Sequence, residues 1–81
     1  NQPWRFIYAR RGEKEWDTLF HLLGEFNKSW CNRADTLVLV VSRKNFEHND
    51  KPSVTCGFDT GAAWMSLALE AHARGIVARG M

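Results

Sequence analysis

Three side-chain amides stand beside the apolar segments of the chain and are its main candidates for holding a ligand. Asn1 and Gln2 precede a run of aromatic residues, and Asn27 follows a stripe of apolar residues at helical spacing. Each amide offers a hydrogen-bond donor and an acceptor. A few fixed amides together with apolar walls suit a planar, amphipathic ring. Amides are also common in caps and loops, so a purely structural role remains the alternative.

The residue types and their spacing give little support to a metal site, a redox-active cysteine pair, a nucleophilic site or a nucleotide-binding loop. His21, His48 and His72 are scattered without an HExxH or similar spacing, so no metal site is predicted. Cys31 and Cys56 form no CxxC pair and are expected to be free thiols in a reducing cytosol. No GxSxG, GxGxxG or GxxxxGK[ST] motif is present. The residue types and spacing therefore favour neither a nucleophilic site nor a dinucleotide-binding or P-loop site.

Length, composition and charge narrow the class of protein further. The 81 residues, 44% of them hydrophobic, can build one small core but not two, so residues 1–81 are expected to form a single domain. A net charge of +2 does not favour binding to nucleic acid or to an anionic membrane. The longest apolar run, Leu37–Val41, is too short to span a bilayer. These features predict a soluble, cytoplasmic protein.

The first half of the chain predicts one strand and one helix. Aromatic and β-branched residues alternate from Trp4 to Ala9, with Trp4, Phe6 and Tyr8 on one face, as in a strand buried mainly on one side. Apolar residues at spacings of three and four then predict a helix from about 14 to 30, interrupted near Gly24.

The second half predicts a strand, a loop and a longer helix. Residues 36–42 form a β-branched run typical of a strand covered on both faces. Residues 43–54 are polar and predict an exposed, mobile loop. A helix from about 58 to 73 is apolar nearly all round, which predicts burial, and Gly75 suits its end. With 76–78 as a candidate last short strand, the order is β-α-β-α and the class is α+β or α/β.

Three segments resemble the FMN-dependent nitroreductase family. Asn1-Gln-Pro-Trp-Arg-Phe-Ile7 is similar to the family segment in which Ser-Ser-x-Asn-x-Gln-Pro-Trp enters a core strand. Asn27-Lys-Ser-Trp30 resembles the end of a family helix. The stretch from Phe58-Asp-Thr-Gly-Ala-Ala63 to Gly75 resembles the long central helix. The three matches occur in the family's order and cover nearly the whole chain.

This resemblance implies an α+β fold that forms an intertwined homodimer. FMN would bind at the subunit interface, and NAD(P)H would reduce it so that nitro compounds or quinones could be reduced in turn. The implied cofactor-binding residues are Asn1, Gln2, Asn27 and Asp59. Asn1 stands one place after the contacting Asn of the family, and Asp59 stands near a position that is often Gln.

The sequence also departs from the family pattern. The Arg/Ser-rich phosphate clamp and the Ser-Ser-x-Asn before Asn1 are absent, and the turn that approaches the reactive flavin nitrogen would follow Met81. We therefore expect a partial, central piece of a nitroreductase that binds FMN weakly or not at all. The alternative is a non-catalytic homo-oligomeric fragment that binds no flavin.

Overall fold

A computed structural model describes all residues of the chain, 1–81, as a small α+β arrangement of two strands and three helices. The elements in chain order are β1 (Trp4–Arg10), α1 (Lys14–His21), α2 (Glu25–Cys31), β2 (Thr36–Ser42) and α3 (Cys56–Ala73). β1 and β2 pair in a two-stranded sheet. They are antiparallel, since the start of β1 meets the end of β2: the Arg43 N–H donates to the Pro3 carbonyl at 2.8 Å. The predicted α+β class is confirmed.

The chain divides into two compact units. We call Phe6–Leu39 the central unit, and Asn1–Arg5 together with Val40–Met81 the terminal unit. The strands β1 and β2 each contribute residues to both units.

The central unit is built around Trp16. Its ring lies with Ala9 and Leu37 in the small buried core. It stacks on Phe20 with centroids 5.1 Å apart, and its Nε1 donates to the Ala34 carbonyl at 3.2 Å. An indole that buries its ring and satisfies its N–H contributes both apolar area and a hydrogen bond.

The predicted interruption of the first helix is confirmed at Gly24. This residue has an extended backbone (φ −67°, ψ 155°) and is the N-cap of α2, where its carbonyl accepts from the Lys28 N–H at 3.0 Å. A residue without Cβ is well tolerated at an N-cap and costly inside a helix. The single helix expected from 14 to 30 is therefore two short ones.

The face of β1 that is buried changes along the strand. Trp4 and Phe6 are half-buried, whereas Tyr8 on the same face is exposed and Ala9 on the opposite face is buried. Ala9 is small enough to lie against Trp16, so the core takes the other face of the strand at this end. Alternation indicates that a strand has two faces but not which face is covered along its whole length.

The segment expected to be an irregular loop is folded on itself. The Phe46 N–H donates to the Lys51 carbonyl at 2.8 Å, and the Ser53 N–H donates to the Lys44 carbonyl at 2.8 Å. Asp50 closes the turn in the left-handed region at φ 57°, which aspartate tolerates better than most residues. Residues 44–53 therefore form a hydrogen-bonded turn.

Helix α3 ends as predicted. Gly75 has φ +75°, its N–H donates to the His72 carbonyl, and the Ile76 N–H donates to the Ala71 carbonyl. These two bonds are the Schellman arrangement, which requires a left-handed residue at the position of Gly75.

Burial of α3 and β2 was predicted wrongly for this chain. Thr60 is the only buried residue of α3, while Phe58 and Leu69 are 81% and 63% exposed. In β2, Leu37 is buried but Val38–Val41 are 37–44% exposed. A helix that is apolar all round is covered only where other elements surround it, and the terminal unit contains no second helix to do so.

The expected third strand is also absent, because residues 76–78 have no regular structure and the sheet has only two strands. A strand requires a neighbour to accept and donate its backbone hydrogen bonds. None of the helices is long and apolar enough to cross a membrane. Both cysteines are free, and Cys31 is buried.

Candidate functional site

An open cavity of roughly 570 Å³ lies within the terminal unit. Its residues come from the start of the chain and from the segment that follows β2, which the antiparallel pairing of the strands brings together. The lining residues are Asn1, Gln2, Pro3, Arg5, Arg43, Asn45, Glu47 and His48. A volume of this size is within the usual range for a small-molecule site.

Two of the predicted site residues, Asn1 and Gln2, lie at this cavity. The Asn1 Nδ2 group donates to the Ser53 Oγ at 3.4 Å, which ties the start of the chain to the end of the 44–53 turn. Gln2 is exposed, and its carbonyl accepts from Arg5. The Gln2 side-chain amide makes no hydrogen bond within the chain, so it is available to a ligand.

The guanidinium of Arg5 is oriented by backbone carbonyls. Its Nη1 donates to the carbonyls of Gln2 at 2.7 Å and Trp4 at 2.8 Å. Its Nη2 donates to the Glu47 Oε2 at 3.3 Å. Because both carbonyls belong to the segment that enters β1, the planar fork is held in one orientation.

Arg43, which directly follows β2, reaches the same carboxylate. Its Nε donates to the Asn45 carbonyl at 3.2 Å, and its Nη1 lies 3.9 Å from the Glu47 Oε1. One carboxylate thus lies between two guanidinium groups. His48 completes this side of the cavity, with its ring 5.6 Å from the ring of Phe46.

Asn27 lies in the central unit, on α2, and is half-buried. Its Oδ1 accepts from the Trp30 Nε1 at 3.2 Å, which fixes the orientation of the amide. The Nδ2 group is then left as the donor that a ligand can use. The neighbouring Lys28 forms an ion pair with Glu25 at 3.2 Å.

Asp59, the fourth predicted site residue, lies in the first turn of α3. Its Oδ2 accepts from the Thr55 Oγ1 at 3.0 Å, and Thr55 is the N-cap residue. A carboxylate in this position is stabilised by the positive end of the helix dipole. Asn1 and Gln2 are therefore brought together at the cavity, whereas Asp59 and Asn27 do not line it.

The charged lining of the cavity was missed at the level of the sequence. No residue within a few positions of Arg5 indicates a partner for it, and Arg43, Glu47 and His48 lie in the segment predicted to be a polar loop. One feature of the sequence could have indicated the charged lining: Arg5 and Arg43 each stand near one end of a predicted strand. Only the antiparallel pairing places those two ends together.

No group of three or more histidine, cysteine, aspartate or glutamate side chains is arranged to hold a metal ion. Two buried hydroxyl oxygens, the Oγ of Ser42 and the Oγ1 of Thr60, have no hydrogen-bond partner. The cavity offers amide donors and acceptors, two oriented cations and one carboxylate. Such a set is suited to binding a polar or anionic ligand rather than to nucleophilic attack.

Comparison with solved structures identifies a similar protein. The chain is 44% identical, with a TM-score of 0.84, to part of a crystal structure of an oxidoreductase containing FMN. The match covers 93% of this chain and 39% of that one. No protein-family model and no curated protein matches the chain. The chain thus has the fold of the corresponding part of that oxidoreductase and spans about 39% of its length.

Proposed function

We propose that this chain is part of an FMN-dependent oxidoreductase of the nitroreductase type, which uses NAD(P)H to reduce nitro compounds or quinones. The observation that carries the proposal is the 44% identity to an FMN-containing oxidoreductase over 93% of the chain. The three segments that resemble nitroreductases lie on or directly beside β1, α2 and α3.

The side chains present fit the polar edge of a flavin ring. Gln2 offers a complete side-chain amide, and the Asn27 amide keeps its Nδ2 donor because its oxygen is held by Trp30. Fixed amides of this kind suit a ring edge with alternating donors and acceptors. Asn1, Gln2, Asn27 and Asp59 are the residues that we propose for cofactor binding, each for the hydrogen-bonding groups of its own side chain.

When bound, the flavin supplies the hydride chemistry. The chain contributes binding and orientation, and no side chain is assigned a catalytic proton transfer. An amide that is already held by a neighbour loses little conformational entropy when the ligand binds. This is the role that we assign to the Asn27–Trp30 pair.

Titration with FMN, followed by flavin fluorescence, tests the proposed function. We expect residues 1–81 alone to bind FMN only at micromolar concentrations or above. The chain spans 39% of its FMN-containing relative, and exposed site residues must be ordered on binding at ~0.5–1.5 kcal/mol per side chain.

The protein expressed from its complete gene is the companion sample and should bind FMN more tightly. A submicromolar dissociation constant for residues 1–81 would contradict the expected weak binding. Absence of saturable binding to both samples would contradict the flavoprotein proposal and favour the non-catalytic alternative.

We also propose that the chain associates with a second copy of itself through α3. Phe58, Met65 and Leu69 are 81%, 56% and 63% exposed, which leaves much of an 18-residue helix uncovered. Contiguous apolar surface of this kind marks interaction sites, and symmetric dimers are the most common solution.

Light scattering at micromolar concentration is expected to give twice the mass of one chain. Met65→Glu should shift the protein to monomer, because it places a charge in the apolar contact. Glu15→Gln on α1 serves as a control for a change of charge and should remain a dimer. A monomeric unsubstituted protein would contradict this part of the proposal.

A further inference from the structure

The cavity of the terminal unit contains an unusual arrangement of charges. Arg5 and Arg43 both line it and both approach the carboxylate of Glu47, at 3.3 and 3.9 Å. Arg5 and Glu47 are 42 positions apart in the chain, so the folded structure creates this contact. Two guanidinium groups on one oxyanion are a common way of recognising phosphates and carboxylates.

Both cations are positioned independently of Glu47. Arg5 is held by two backbone carbonyls at 2.7 and 2.8 Å, and Arg43 by the Asn45 carbonyl at 3.2 Å. If Glu47 moved away, these hydrogen bonds would still hold the two guanidinium groups. The arrangement is therefore preorganised for an oxyanion, which reduces the entropic cost of binding.

Glu47 itself is only weakly held. Its side chain is 75% exposed, and both of its ion pairs lie at the protein surface. Ion pairs of this kind add little stability. The carboxylate also belongs to the 44–53 turn, whose backbone hydrogen bonds at residues 44, 46, 51 and 53 do not involve the Glu47 side chain. The side chain can leave the cavity without unfolding the turn.

We propose that this cavity is an oxyanion-binding site in which Glu47 occupies the place of a ligand phosphate or carboxylate. The ligand group displaces Glu47 and is held between Arg5 and Arg43, while the Gln2 amide is a neutral donor beside it. The site does not depend on flavin binding. The phosphate of FMN and a separate anionic ligand are two sources of the same chemistry.

Inorganic phosphate is the probe, and its affinity is followed by amide chemical shifts of the cavity residues in the purified protein. Glu47→Gln should bind phosphate about three- to fivefold more tightly than the unsubstituted protein, since it removes a competing weak ion pair. Arg43→Gln should lose most of the affinity. Both substitutions are at exposed positions and are expected to leave the fold intact.

Glu70→Gln is the matched control. Glu70 pairs with Arg74 at 2.9 Å on α3, so this variant also removes one negative charge beside an arginine, away from the cavity. It should change the phosphate affinity by less than twofold. Equal gains in Glu47→Gln and Glu70→Gln would show a general charge effect and overturn the proposal, as would unchanged affinity in Arg43→Gln.

A comparison of FMN with riboflavin identifies the source of the anion. If the FMN phosphate occupies the cavity, Glu47→Gln strengthens binding of FMN but not of riboflavin, and FMN prevents the shifts caused by phosphate. If the ligand is a separate anion, phosphate binds equally well with flavin present. Failure of flavin to bind would contradict the proposed function alone, because the phosphate titration does not require flavin.

Discussion

Replacing Trp16 by alanine is expected to lower the free energy of unfolding by about 3–5 kcal/mol, the usual cost of deleting a large aromatic side chain from a core. Trp16 is 6% exposed and belongs to a core of only three buried residues, so few neighbours can move in to fill the space. The substitution also removes the stacking with Phe20 and leaves the Ala34 carbonyl without the indole donor.

A cation–π contact adds to this effect. The guanidinium carbon of Arg11 lies 4.6 Å from the centroid of the Trp16 ring, and such contacts contribute ~0.5–1 kcal/mol at partly exposed sites. Arg11 also donates from its side chain to the Asn32 carbonyl and from its backbone to the Asp35 carbonyl. Loss of the ring therefore weakens the connection between the end of β1 and the start of β2.

Urea denaturation followed by circular dichroism provides the measurement. Trp16→Phe keeps a ring but removes the N–H donor, and should cost less than Trp16→Ala. Phe26→Ala is the control, because Phe26 is 78% exposed and its loss should change stability by less than ~0.5 kcal/mol. Similar losses for Trp16→Ala and Phe26→Ala would show that Trp16 is not the centre of the core.

Replacing Asn27 by alanine is expected to weaken FMN binding by about 1–3 kcal/mol, the cost of leaving a polar partner unsatisfied. This prediction applies to the protein expressed from its complete gene and rests on the proposed function. The Asn27 amide is held through its oxygen by Trp30, so its Nδ2 donor is already oriented. A loss of this size is about 5- to 150-fold in the dissociation constant.

Lys28→Ala is the matched control, since Lys28 is the next residue on α2 and forms only an ion pair with Glu25. That substitution should change FMN affinity by much less. Asn27→Asp retains an oxygen for the Trp30 N–H but removes the amide donor, which separates ligand binding from support of α2. Thermal unfolding without flavin measures the structural cost of each variant. Equal effects at positions 27 and 28 would contradict the role assigned to Asn27.

The sequence by itself determined which elements form, because the signals for them are local. Alternation of side chains predicted β1, and the β-branched run predicted β2. Gly24 marked the interruption between α1 and α2, and Gly75 marked the end of α3, since each has a backbone or capping requirement that is met within a few residues. The predicted site role of Asn1 and Gln2 comes from their amide chemistry and from the resemblance of residues 1–7 to a nitroreductase segment, and both residues line the cavity.

The tertiary structure alone decided what these elements bury and which side chains meet. The core takes Ala9 rather than Tyr8 from β1, because the side that Trp16 covers depends on how α1 returns to the sheet. The apolar character of α3 indicated that it should be covered, but coverage requires a surface to lie against, and most of this helix remains exposed. Likewise residues 76–78 could extend the sheet only if a strand were available beside them.

The charged cavity was likewise decided by the tertiary structure alone. Arg5 and Glu47 each looked like ordinary solvated residues, because nothing within a few positions of either indicates a partner. Antiparallel pairing of β1 with β2 brings residue 3 next to residue 43, and the turn that follows carries Glu47 back to Arg5. Contacts between residues 42 positions apart depend on strand register and turn geometry, which local periodicity does not specify.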